Sequence, residues 1–415
     1  MSTLTFAKPR RSSRSHATPG RTERPAGRIL SGPLALVFLA EFCALTSFYL
    51  LLSVTPRCAA AVGAGSAGAG LVTSVLLLGT VAAELAAPVL MRRYGYWTML
   101  VAGALLLGVP AVALLPGGSL VVIVAVSAVR GLGFGLCTVM TGALTAVLLP
   151  PDRRGEGLGL FGVVATAPGI VALPGGLWLA GHTGVATVIV MAAATALAPL
   201  TVFPWLAGRP GSPRAEAASP GSGRPDGLLA GLRQPGQLRP FLIFAASTVA
   251  GGVVVSFLPL ATGVSGNVAA AGLLVQALTA TISRWWAGRR GDRTGHARLL
   301  VPALAIASLG MITMLGLASP AAVIAGMCLF GTGFGIGQNA TFALMIDRMP
   351  PSGAGTASAL WNLAYDAGYG AGPAAFGLLV GHTGYPAAFA LTAALMLAAL
   401  PAARREGSAA PTGSR

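Results

Sequence analysis

Long apolar runs separated by short polar interruptions set the pattern of this chain. A bilayer-spanning helix needs roughly 20 predominantly apolar residues. Twelve stretches meet that length, at about 33–54, 69–91, 97–117, 119–148, 157–180, 183–207, 239–262, 267–288, 298–318, 320–346, 353–381 and 383–402. Segments of about ten alternating residues, the mark of a membrane β-barrel, do not occur. The first apolar run follows about 30 polar residues with no evident cleavage site, so it reads as a span and not as a signal peptide. The pattern predicts an all-α membrane protein with twelve transmembrane helices.

Composition narrows the class. Of 415 residues, 54% are hydrophobic and 9% charged, against about 25% charged in soluble domains. That excludes an ordinary soluble enzyme and a disordered chain. The net charge of +16 does not point to nucleic acid, because the basic residues sit between apolar runs and not on one face. Instead, 24 of the 27 Lys and Arg fall in the tail 1–32, the tail 403–415 or alternate connections. The opposite connections hold only Arg57, while Arg130 and Arg284 lie inside spans. Positive charge marks the cytoplasmic side, so both termini are expected in the cytoplasm of a multi-pass plasma-membrane protein. The basic N-terminal tail would also attract anionic lipid. Cys43, Cys58, Cys137 and Cys328 show no CxxC spacing, so neither a disulfide framework nor a metal site is expected. There is no P-loop, no HExxH and no other cofactor motif. Gly63 to Gly68 fits GxGxxG without a strand–helix unit and reads as an external glycine loop.

The sequence also matches itself at an offset of 200. Gly131-Leu132-Gly133-Phe134-Gly135 lies over Gly331-Thr332-Gly333-Phe334-Gly335, Pro150-Pro151 over Pro350-Pro351, and Gly181-His182-Thr183-Gly184 over Gly381-His382-Thr383-Gly384. Two pseudo-symmetric six-helix bundles of like orientation are implied, 33–207 and 239–402, joined by the Pro/Gly/Arg-rich linker 208–238. Parallel halves with a site at their interface suit an alternating-access carrier.

The run Gly288-Arg289-Arg290-Gly291-Asp292-Arg293-Thr294-Gly295 resembles the loop signature that the major facilitator superfamily carries between spans two and three and between eight and nine. The first-half copy is degenerate, with Pro88 and Arg92 in place of the Gly and the Asp. The resemblance implies a cytoplasmic latch formed by Gly288, Asp292, Arg293 and Gly295 with Arg348. Arg130, followed by Gly133 and Gly135, resembles the family's span-four motif, whose Arg is linked to proton translocation. Pro168 in span five, and Gly372-Pro373 in span eleven, loosely resemble the Gly/Pro element of the drug/proton antiporter branch. With Gly333 and Gly335, these are expected to serve helix packing, since small residues let helix backbones approach closely.

Ionisable residues inside spans are rare and are functional candidates by default. Glu41, Arg130 and Asp366 are the expected proton-coupling set, with Arg130 near the carboxylates. Glu84 and Arg284, matched by the repeat but opposite in sign, form a secondary charged pair toward the cytoplasmic ends of their spans. Phe42, Tyr49, Gln338, Asn339, Trp361, Asn362 and Tyr365 are expected to line the substrate cavity. The function these features suggest is proton-coupled efflux of small hydrophobic or amphipathic molecules by a monomer, without a cofactor. The alternative is a proton-linked importer or facilitator of a polar nutrient such as a sugar, peptide or organic acid. A membrane-embedded enzyme is disfavoured, because no nucleophile–base pair lies in the spans.

Overall fold

The computed structural model describes residues 31–115, 117–149, 154–202, 231–234, 236–261, 263–349 and 353–409. The tail 1–30, most of the linker 208–238 and both Pro-Pro pairs lie outside them. The first half contains α1 (Gly32–Leu52), α2 (Gly65–Tyr94), α3 (Tyr96–Gly108, continued by a 3₁₀ turn to Leu114), α4 (Leu120–Leu148), α5 (Arg154–His182) and α6 (Val185–Leu197). The second contains α7 (Leu238–Phe257), α8 (Gly266–Thr294), α9 (Leu300–Thr313), α10 (Pro320–Asp347), α11 (354–383) and α12 (385–398). A last helix, α13 (Leu400–Ala409), follows.

Capping and glycine set the helix ends. The Ser31 hydroxyl accepts from the Leu34 amide at 3.4 Å and starts α1, with Pro33 in its first turn. Ser265 and Ser319 cap α8 and α10 in the same way. The turns use glycines at φ > 0, in pairs 200 residues apart: Gly63 and Gly263, Gly95 and Gly295, Gly184 and Gly384. Only glycine takes that conformation without Cβ strain. The expected glycine loop is shorter than its motif, because the chain is already helical from Gly65 onward.

Packing repeats the same offset. In the first half α4 lies against α2 and α3, and in the second α10 lies against α8 and α9. A Cβ at Gly131 would overlap the Leu76 carbonyl, and one at Gly331 the Gln276 carbonyl. Gly133 meets the backbone at Gly103 and Leu107, and Gly333 meets it at Ala303 and Ala307. Gly135 and Gly335 face Thr80 and Ala280. Gly372 lies on the Val249 carbonyl, and Pro373 backs on Gly70 and Gly252. Pro168 sits within the unbroken α5.

Two seams join the halves, α2 with α11 and α5 with α8. The α2–α11 seam is closed over the end away from the arginine-rich connections. There the Ser66 hydroxyl donates to the Gly377 carbonyl (2.8 Å), and Ser74 reaches the Gly370 carbonyl (2.5 Å) as well as Gly70 in its own helix (2.9 Å). Thr73 and Ser256 hydroxyls meet at 3.0 Å between α2 and α7.

The segment expected as the tail 403–415 begins as a helix. Residues 400–409 form α13, whose Glu406 is 1% exposed and pairs with Arg348. Arg239 stands 3.7 Å from the same carboxylate.

Candidate functional site

Between the halves lies a cavity of about 730 Å³. The α2–α11 seam contributes Leu77 and Glu84 of α2 and Tyr365, Asp366 and Tyr369 of α11 to its lining. Its walls run toward the arginine-rich side along Gly142, Ala143 and Ala146 of α4, Phe161 of α5, and Gly355, Ser358 and Ala359 of α11. A second lobe of about 310 Å³ shares Tyr49, Asn362, Tyr365 and Tyr369 and extends between α5, α8 and α10. Spaces of this size suit a small organic molecule.

Charge divides the two lobes. Glu41 and the pair Glu84–Asp366 face the larger one. The two carboxyl groups of that pair, on α2 and α11, lie within hydrogen-bonding reach across the seam. The Thr141 hydroxyl of α4 stands 2.5 Å from the Glu41 carboxyl and 2.9 Å from the Cys137 carbonyl, two acceptors for its one proton. Arg284, Gln276 and Gln338 face the smaller lobe. Tyr49, Tyr365 and Tyr369 line both lobes, and further rings stack around them. Phe48 stacks on Phe134 (3.9 Å), Tyr365 on Tyr369 (4.7 Å) and Phe244 on Trp361 (4.4 Å). The Trp361 indole donates to Thr341 at 3.2 Å, and the Arg284 guanidinium lies 5.9 Å from the Trp361 ring centre.

Several expectations need correction. Phe42 is 43% exposed and does not line the cavity, because one helical step from Glu41 carries it around α1. Asn339 is turned off the cavity in the same way from Gln338, and packs beside Gly288, its side-chain oxygen without a hydrogen-bond partner among the described residues. Arg130 is not beside the carboxylates. It is 3% exposed and donates to the carbonyls of Leu107 (2.5 Å) and Ser47 (3.0 Å). Glu84 and Arg284 do not pair with each other or hold the interface: Glu84 meets Asp366, and Arg284 faces the other lobe. The latch residues are not assembled as a unit. Asp292 is 76% exposed with His296 at 3.7 Å, Arg293 is exposed, and Arg348 is taken by Glu406 and the Gly236 carbonyl.

Sequence reading missed Phe48, Phe134, Thr141, Gln276, Tyr369 and Glu406. Thr141 and Thr341 carried a usable signal, since the repeat pairs them and each bonds a side chain of another helix, Glu41 and Trp361.

The profile of the Major Facilitator Superfamily matches residues 37–373. Solved structures share the fold at low identity. A bacterial homolog of the human lysosomal transporter Spinster, in an inward-facing and occupied conformation, is 15% identical with a TM-score of 0.73, covering 92% of this chain and 98% of its own. A point mutant of the nucleoside transporter NupG is 14% identical, TM-score 0.68, covering 90% and 98%. A point mutant of the peptide transporter POT is 16% identical, TM-score 0.72, covering 91% and 95%. Among curated proteins none matches the sequence.

Proposed function

The chain belongs to the major facilitator superfamily and is a membrane transporter, not an enzyme; from that premise we propose that it exports small amphipathic molecules bearing a positive charge, in exchange for protons. The arginine-rich face is taken as cytoplasmic, at the plasma membrane. The observation that carries the reading is the meeting of Glu84 and Asp366 across the α2–α11 seam, in the wall of the cavity. Two carboxyl groups can hydrogen-bond to each other only if one holds a proton. A cationic substrate entering from the open side replaces that proton as the partner of the pair. Its apolar body lies against the aromatic wall of Tyr365, Tyr369 and Phe134. Glu41, held by Thr141, is the second carboxyl in reach. When the cavity opens on the other side, an external proton returns to the pair and the substrate leaves. Gly288, Asp292, Arg293, Gly295 and Arg348 would assemble as a latch only in that outward-open state.

A second reading is proton-linked uptake of a polar zwitterion. Arg284, Gln276 and Gln338 in the smaller lobe favour it, because they would take a carboxylate while the acidic lobe takes an amine.

The test is transport by the purified chain in liposomes under an imposed pH gradient, with a fluorescent lipophilic amine and a dipeptide as alternative cargoes. Export of the amine against inward proton flow is expected. Asp366→Asn and Glu84→Gln should each lose gradient-driven transport by more than tenfold while keeping amine exchange at equal pH. Equal driven rates in wild type and both variants would sink proton coupling through this pair. Accumulation of the dipeptide with proton flow would select the second reading.

A further inference from the structure

The outer end of the first half, away from the arginine-rich connections, holds a separate cavity of about 370 Å³. None of the residues lining it lines the central cavity or its second lobe. Leu114, Ile123, Val185 and Ile189 make its apolar wall, and Arg57 and Cys58 stand in it. Both belong to the short helix Thr55–Ala59 that follows α1.

Arg57 is half-buried there, and its guanidinium has no hydrogen bond or ion pair among the described residues. The sequence offers it no partner either. The six connections on this face, 53–64, 109–119, 183–184, 258–265, 314–319 and the turn at 384, contain no Asp or Glu, and Arg57 is their only Lys or Arg. Nor does topology explain it, since a positive charge on this face works against the bias that orients the chain. A cation half-buried against an apolar wall gives up part of its hydration, and an anion is the partner that compensates it best.

We infer that this outer cavity binds an amphiphilic anion, with a single phosphate or carboxylate head on Arg57 and an apolar chain along Leu114, Val185 and Ile189. The charge selects the head and the wall selects the chain. Such a molecule reaches the cavity either as an outer-leaflet lipid or as a dissolved amphiphile. Cys58 sits in the same cavity and reports on occupancy.

The experiment uses the full chain in phosphatidylcholine nanodiscs. Maleimide labelling of Cys58 is followed by peptide mass, with dodecyl phosphate as the probe. Dodecyl phosphate is expected to slow labelling at least fivefold. Arg57→Gln should raise the half-protecting concentration about tenfold or more, as loss of a charge-assisted contact does, while Arg57→Lys should raise it less. Protection in phosphatidylglycerol nanodiscs without added amphiphile would identify lipid as the occupant; free labelling there, with protection by dodecyl phosphate, would identify the dissolved amphiphile. Equal protection by dodecyltrimethylammonium, or an unchanged half-protecting concentration in Arg57→Gln, would overturn the inference.

Discussion

Among the described residues Arg130 is the most buried Lys or Arg, 3% exposed. A bare guanidinium within a span costs at least about 2.5–3.5 kcal/mol on insertion scales, and here carbonyls of α1 and α3 take its protons in place of a carboxylate. A planar fork reaches two acceptors at once, whereas a lysine ammonium on its flexible stem does not. Arg130→Lys is therefore expected to lower stability by about 1–3 kcal/mol, read as the unfolding temperature in detergent. A wild-type temperature would mean that the carbonyl bridge is not what holds the side chain. The existence of such buried charges was legible in the sequence, because an ionisable residue in an apolar run stands out. Their partners were not. Helices apolar around their whole circumference give no sign of which face meets the cavity. That is why Phe42 and Asn339, each one step from a lining residue, were placed on the wrong side, and why Phe48 and Tyr369 passed as ordinary core.

Whole helices were easier to read than their faces. Length and hydropathy located the spans, and glycines at matching offsets located the turns between them. The amphipathic α13 was missed, since ten residues with two arginines and a glutamate look like a solvated tail until Arg348 and Arg239 are seen beside Glu406. Removing one partner of a buried ion pair costs about 3–5 kcal/mol. Because Arg348 keeps 24% of its side-chain surface exposed, the loss for Glu406→Gln should fall to about 1–2 kcal/mol. Faster proteolysis within residues 400–409, with the remaining helices unchanged, is the expected signature. Equal proteolysis rates would show that α13 is held by its apolar face alone. A tighter element contact is that of α4 on α2. Gly131→Ala would press a methyl group on the Leu76 carbonyl, and overpacking of this kind costs about 1–3 kcal/mol. A thermal unfolding curve unmoved by that change would mean that α4 has room to slide.

At the scale of the molecule, the repeat at 200 residues was the strongest signal in the sequence, and it returns in the turns, in the glycine contacts and in the pairing of helices. What it could not announce is where the symmetry fails: Glu84 answers to Arg284, and Arg130 to Phe330. The state described here has its α2–α11 seam closed on the outer side. Ser66 and Gly381 face each other there, a Cβ added at Gly381 standing 3.8 Å from the Ser66 hydroxyl. In a background with Cys58 and Cys328 changed to Ser, the pair Ser66→Cys and Gly381→Cys should form a disulfide that stops transport, and a reductant should restore it. Undiminished transport by the cross-linked protein would exclude opening along this seam. The serines of that seam bear on how often it can be used. The Ser74 hydroxyl has one proton and two acceptors, Gly370 across the gap and Gly70 one turn back on its own helix. When the helices part, the Ser74 proton turns to the Gly70 carbonyl of its own helix, and this donor is not stranded. The contact is a repositionable fastening, gripping when the halves meet and leaving no open valence when they separate.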